Sequence, residues 1–179
     1  MHRLIAGLLL LPATALAGDI LTSSVNHDGD SYSLLVAARI DAPIDIVYQS
    51  ITDFDNLVAI NPAIEESQLL AMPNAGIQRV RSVIKVCILV FCKRVVQVQD
   101  VIKKEGYVIE AVILPEHSDF RSGFSRWQLT TSGASTVLLF TNTFEPDFWV
   151  PPVIGPWLIK RKLINEVAET AMYIELKVK

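Results

Sequence analysis

Six strand-like segments follow one another between positions 64 and 144, with only short breaks between them. They cover residues 64–71, 78–88, 91–103, 107–114, 120–130 and 136–144. Four of the five breaks are Pro73-Asn74-Ala75-Gly76, Lys104-Glu105-Gly106, residues 115–119, and Thr131-Ser132-Gly133-Ala134. They carry turn residues and are too short for a crossover helix. Successive strands joined in this way predict an antiparallel meander.

The flanking segments add helices. Residues 32–40 (YSLLVAARI) read as a first strand, broken by Asp41-Ala42-Pro43. Pro43 suits a first helical turn. Ile44, Val47, Tyr48 and Ile51 recur at helical spacing, which predicts a short helix over 43–51. A second short helix is expected over 54–60, ahead of Pro62. Asp53 and Asp55 suit turn and capping roles better than a paired-carboxylate site. After the meander, Gly155-Pro156 opens a long final helix. Leu163, Val167, Ala171 and Ile174 form its apolar stripe, flanked by Ile164 and Ala168, with Lys162, Glu166 and Glu169 on other faces. The expected class is α+β: a curved antiparallel sheet of about seven strands wrapped around a C-terminal helix, with two short helices after the first strand. Strands that curve more than the helix can fill leave a cavity between sheet and helix.

The chain has 179 residues and is 51% apolar, which rules out a disordered chain. The most apolar stretch, residues 4–17 (LIAGLLLLPATALA), is interrupted by Pro12 and is too short to span a bilayer. It follows Met1-His2-Arg3 and ends in Ala15-Leu16-Ala17, the layout of a secretory signal peptide cleaved after Ala17. The expected organisation is a signal peptide over 1–17, a polar lead-in over 18–30 and one domain over 31–179. The expected destination is the periplasm or the exterior. Removal of residues 1–17 takes one Arg and no acid, so the net charge moves from −3 to −4. That balance argues against nucleic acid as a partner.

Cys87 and Cys92 are the two cysteines of the chain. A two-residue turn at Leu89-Val90 pairs Ile88 with Phe91, and Cys87 with Cys92 as the next pair. That geometry predicts a structural disulfide that pins strand register. A redox pair, a metal site and free thiols are the competing readings. CxxxxC is not CxxC, and no His or second Cys pair lies nearby, so no metal is expected. The tip, Ile88-Leu89-Val90-Phe91, lacks the usual turn residues. It is either packed under a neighbouring element or free to meet a ligand or membrane.

The order of elements resembles the helix-grip fold of the START-like superfamily, also called SRPBCC. That group includes polyketide cyclases, coenzyme Q-binding proteins, lipid-transfer START domains and the birch pollen allergen. The residues that carry the resemblance are Ala38-Arg39-Ile40-Asp41-Ala42-Pro43, Val47-Tyr48, Thr52-Asp53-Phe54-Asp55-Asn56-Leu57 and Asn61-Pro62. Gly123, Trp127-Gln128-Leu129 and Phe144-Glu145-Pro146 are similar to its late strands. The resemblance implies a hydrophobic ligand cavity. It does not imply an enzyme, because the same fold carries transport, binding and catalysis.

No GxSxG elbow, HExxH helix, phosphate loop or Walker motif is present. No cofactor is expected. His117 and Asp119 are weak catalytic candidates, because a His near carboxylates can be tuned as an acid or base. The bland alternative for them is a solvated loop. Residues 144–162 (FEPDFWVPPVIGPWLIKRK) combine aromatics, four prolines and three cations. The expected ligand-lining set is Phe120, Phe124, Trp127, Phe140, Phe144, Phe148, Trp149 and Trp157. Lys160, Arg161 and Lys162 are weak candidates for membrane or anion contact. Arg121 and Arg126 are expected to face outward. The expected partner is a hydrophobic small molecule such as a lipid or quinone, with peripheral membrane contact as a further reading. A cyclase- or hydrolase-like enzyme using the same cavity, or a module docking to the cell envelope, are the alternatives. The oligomeric state stays open.

Overall fold

The computed structural model describes residues 19–88, 91–150 and 155–178. Residues 1–18, which include the expected signal peptide, Leu89-Val90, residues 151–154 and Lys179 lie outside the described residues. Eight strands form one antiparallel sheet: β1 (Asp19–Asp28), β2 (Ser31–Ile40), β3 (Ile64–Asn74), β4 (Ile77–Ile88), β5 (Phe91–Lys104), β6 (Val108–Ile113), β7 (Phe120–Ser132) and β8 (Ser135–Pro146). The spatial order is β1-β2-β8-β7-β6-β5-β4-β3, so the sheet is open, with β1 and β3 at its edges. Helix α1 (Ile44–Thr52) follows β2, and helix α2 (Gly155–Leu176) closes the chain. This is a helix-grip fold.

Two expectations are corrected. The polar lead-in is an edge strand, β1, which makes eight strands rather than about seven. Its side chains are mostly exposed, so apolar alternation is nearly absent. Its backbone is held by pairing from Asp19↔Arg39 to Asp28↔Ser31 around a Gly29-Asp30 turn, and Gly29 supplies a φ of +58°. The second short helix shrinks to a 3-10 turn over Leu57–Ala59. The segment before it is tied up in turn bonds. Asn56 donates to both Asp53 carboxylate oxygens, and Asp55 Oδ1 accepts the Leu69 N–H at 2.8 Å.

Strand register separates the two faces of the sheet. Val36, Phe140, Trp127 and Ile109 align across four strands, and Leu34, Asn142, Ser125, Ala111 and Val101 align across five. These rows face α2. Tyr32, Leu34, Val36, Ala38 and Ile40 are all buried there. The rows between them, such as Ser33, Thr143, Phe124 and Val112, form the outer face.

The Asp41-Ala42-Pro43 break is anchored at both ends. Thr136 Oγ1 donates to the Ala42 carbonyl at 2.8 Å, and the Asp41 N–H donates to Glu175 Oε1 at 3.0 Å. Near that anchor the C-terminal half of α2 packs into a solid core: Ala171 and Ile174 meet Ile40, Val47, Leu129 and Leu138. A second cluster, with Phe54, Val80, Val101, Ile109 and Ala111, extends under α1. The N-terminal half of α2 buries no side chain completely. The molecule is closed at one end of the helix and less filled at the other.

Candidate functional site

The less filled end is a cavity of about 120 Å³ between the sheet and the first half of α2. β4 contributes Ile84, Val86 and Cys87, β5 contributes Gln97, and β6 contributes Ile113. Phe120 comes from β7, and Asn142, Phe144 and Pro146 come from β8. Phe148 and Val150 follow β8, and α2 supplies Leu158, Ile159, Lys162, Leu163 and Glu166. Gly123 matters to this wall: a Cβ there would run into the Ile113 side chain. Gly155 plays the same part for the start of α2, because a Cβ there would meet Val150.

The aromatic wall is continuous. Tyr32 stacks on Phe144 with centroids 5.6 Å apart, Phe144 meets Phe120 edge-on at 5.9 Å, and Phe120 meets Phe148 at 6.1 Å. Lys93 Nζ stands 4.4 Å from the Phe148 centroid. The proposed lining set therefore divides. Phe120, Phe144 and Phe148 lie together on the cavity wall. Trp127 and Phe140 also face inward, stacked at 5.1 Å, but Trp127 packs against the two core clusters. Phe124 points to the outer face, opposite Val112, and is 43% exposed. Trp149 and Trp157 are exposed beside residues that line the cavity.

The cation triplet divides as well. Lys160 and Arg161 are exposed, and the Arg161 guanidinium lies 5.6 Å from the Trp157 centroid. Lys162 turns to the cavity, with Nζ 3.2 Å from Glu166 Oε1. Helical periodicity puts Lys162 and Glu166 on faces away from the apolar stripe; the curved sheet reaches far enough round α2 to enclose them. Burial pushes the Glu166 carboxyl above the usual carboxylate range, against the neighbouring Lys162 ammonium, which favours the charged form. Glu166 is the titratable cavity residue that sequence reasoning missed.

His117 and Asp119 do not face this cavity. His117 is exposed on the other side of the sheet, near Leu70, Arg79, Arg81 and Val98. Asp119 belongs to a connection that completes β5. β6 pairs only with residues 99–104 of β5. Below that point the connection takes over: Asp119 Oδ2 accepts the Val96 N–H at 2.7 Å, and Ser118 Oγ accepts the Val98 N–H at 2.9 Å. Arg121 and Arg126 are engaged in ion pairs. Arg121 meets Glu145, Asp30 and Asp147, and Arg126 meets Glu110.

Cys87 and Cys92 form a disulfide with Cα atoms 4.0 Å apart, in the register Cys87↔Cys92 and Ile88↔Phe91. The exposure of the 88–91 tip lies outside the described residues. Among the described residues, no helix is long and apolar enough to cross a membrane, and no group of three or more His, Cys, Asp or Glu could hold a metal.

A helix closing an open curved sheet is the architecture of the START type. Residues 33–173 match the family described as polyketide cyclase / dehydrase and lipid transport, and the chain belongs to that family. Solved structures share the fold. A START superfamily protein from Mycobacterium smegmatis is 17% identical with a TM-score of 0.69, covering 82% of this chain and 99% of that one. The ZhuI aromatase/cyclase from a Streptomyces species is 16% identical with a TM-score of 0.66, covering 82% and 93%. A STAR-related lipid transfer protein from Xanthomonas axonopodis is 13% identical with a TM-score of 0.64, covering 85% and 98%. No curated protein matches the sequence.

Proposed function

We propose that the protein binds a hydrophobic small molecule between the sheet and the first half of α2 and releases it unchanged. The observation that carries this reading is the apolar, aromatic-walled cavity at the loosely filled end of α2. Its volume sets a scale. A cavity of roughly 150 Å³ holds a benzene ring, whereas drug-sized ligands occupy roughly 300 Å³ or more. About 120 Å³ therefore admits one ring or a short branched chain. A long acyl chain enters only when the turn of α2 around Leu158, Ile159 and Leu163 moves away from the sheet.

Two further elements belong to the same reading. Residues 1–17 and the disulfide support an exported protein. Exposed Trp149 and Trp157, with Lys160 and Arg161 beside them, support contact with an anionic membrane surface during ligand exchange.

A second reading has one observation in its favour. Glu166 is a titratable group inside the cavity with a raised pKa, the property expected of an acid-base residue in a cyclase- or hydrolase-like enzyme. One experiment separates the two. The protein is purified gently, weighed by native mass spectrometry and extracted with organic solvent. A stoichiometric hydrophobic compound, recovered unchanged after prolonged incubation with fresh protein, is the expected result. Conversion of that compound into a new mass replaces binding with catalysis. A bare protein mass removes the support for a resident ligand.

A further inference from the structure

The cavity wall is apolar except for four side chains. Lys162 and Glu166 stand on successive turns of α2, 3.2 Å apart, while Gln97 and Asn142 enter from β5 and β8. The Asn142 carbonyl oxygen lies 3.3 Å from the Ser125 hydroxyl, which is buried on the same inner face. Helix stability does not explain the ion pair. Lys placed four residues before Glu is the weaker orientation on a helix, and enclosure costs both groups hydration. The Glu166 side chain is only 15% exposed and that of Lys162 is 34% exposed. Other charges facing Glu166 are few: Glu169 on α2 adds a weak repulsion.

We propose that this self-neutralising pair, with Gln97 and Asn142, selects a ligand whose buried end is an uncharged alcohol on a ring-sized apolar body. The inference rests on the binding reading above. An anionic head competes with Glu166 for Lys162 and then faces the displaced carboxylate. A cationic head meets the mirror-image conflict at Lys162. A purely apolar ligand covers the amides of Gln97 and Asn142 and offers them nothing. A hydroxyl donates to the carboxylate and accepts from the ammonium or an amide, and it brings no charge that either member of the pair must oppose.

The test is an NMR titration of the disulfide-intact protein with benzyl alcohol, benzoate, benzylammonium and toluene, four probes that share one ring. The expected result is shifts at cavity residues, with benzyl alcohol at least about tenfold tighter than either ion. Two single substitutions should then swap the preference. Lys162→Met leaves Glu166 unpaired and should favour benzylammonium, whereas Glu166→Gln leaves Lys162 unpaired and should favour benzoate. The outcomes are distinguishable. If toluene binds with the others, all within about twofold, the cavity stands and the alcohol selection falls. An ion binding tightest to the unmodified protein also overturns the selection. If no probe shifts any cavity resonance, the binding reading falls with it. The unmodified protein alone decides the first comparison, so failure of either variant to fold does not protect the proposal.

Discussion

Glu166 shows how burial converts an ordinary helix-surface residue into a sensor of its surroundings. Its carboxyl is held above the usual range by desolvation. Between the ordinary carboxylate pKa and the raised one, the folded state keeps a proton that the unfolded chain has lost. Stability therefore falls as pH rises through that window. Melting curves from about pH 4 to about pH 8 should show the native protein losing ground to Glu166→Gln as pH rises. A constant difference across the range would contradict the assignment. Gly123 acts on the same cavity by what it lacks. Gly123→Ala should push Ile113 from its place and cost about 1–3 kcal/mol, read as a lowered denaturation midpoint. An unchanged midpoint would mean that Ile113 yields freely. Glu166 was not legible in the sequence, because its position in the heptad-like pattern is a polar one and only the reach of the sheet encloses it. Phe120, Phe144 and Phe148 were legible as aromatics near the helix. Which neighbours joined them depended on strand phase, and Phe124 fell on the other face.

At the level of elements, the β4–β5 hairpin and the connection after β6 stabilise the sheet by different means. The disulfide closes a very short loop, with its cysteines five positions apart. In the chain-entropy account, closing a loop of about six residues is worth about 2 kcal/mol. Replacing both cysteines by Ser should lower stability by about that amount in chemical denaturation. A loss near zero would leave register pinning as the bond's remaining contribution. The connection over residues 115–119 satisfies backbone donors of β5 with side-chain oxygens in place of a neighbouring strand. Asp119→Ala leaves the Val96 N–H without that acceptor and should cost about 1–2 kcal/mol, with faster amide exchange confined to the β5 segment below residue 99. Exchange that speeds up across the whole sheet would show that the effect is global instead. The hairpin pairing was readable because the cysteine spacing and a two-residue turn agree. The role of Asp119 was not, since a loop carboxylate looks the same in sequence whether it is solvated or bonded to a strand residue 23 positions away along the chain.

Across the whole molecule, α2 is clamped at its C-terminal end and free to respond at the other. Glu175, Ala171 and Ile174 fix one half against β2, α1 and the strands around them. The other half covers the cavity and carries exposed Trp157, Lys160 and Arg161, with exposed Trp149 just upstream. The macrodipole penalty for cations is confined to the first helical turn, so Lys160 and Arg161, in the second turn, escape most of it. If this end meets membranes, flotation with vesicles containing phosphatidylglycerol should carry the native protein upward. The Trp149→Ser, Trp157→Ser pair should stay behind, and high salt should weaken the native binding. Equal flotation with purely zwitterionic vesicles would remove the role of the cations.

The sequence by itself determined the order of the main elements from β2 to α2, the antiparallel meander, the closing helix and the cysteine pairing. Each of these follows from local preference: strand-forming residues, turn chemistry and helical periodicity act over a few positions. Only the tertiary structure decided that the polar lead-in joins the sheet as β1, because backbone pairing with β2 holds it and its side chains report almost nothing. Only the tertiary structure turned Lys162 and Glu166 inward, placed His117 on the other side of the sheet and bound the Asp119 carboxylate to the edge of β5. Those outcomes depend on how far the sheet curls around α2, a property set by the summed twist of eight strands and carried by no single segment of the chain.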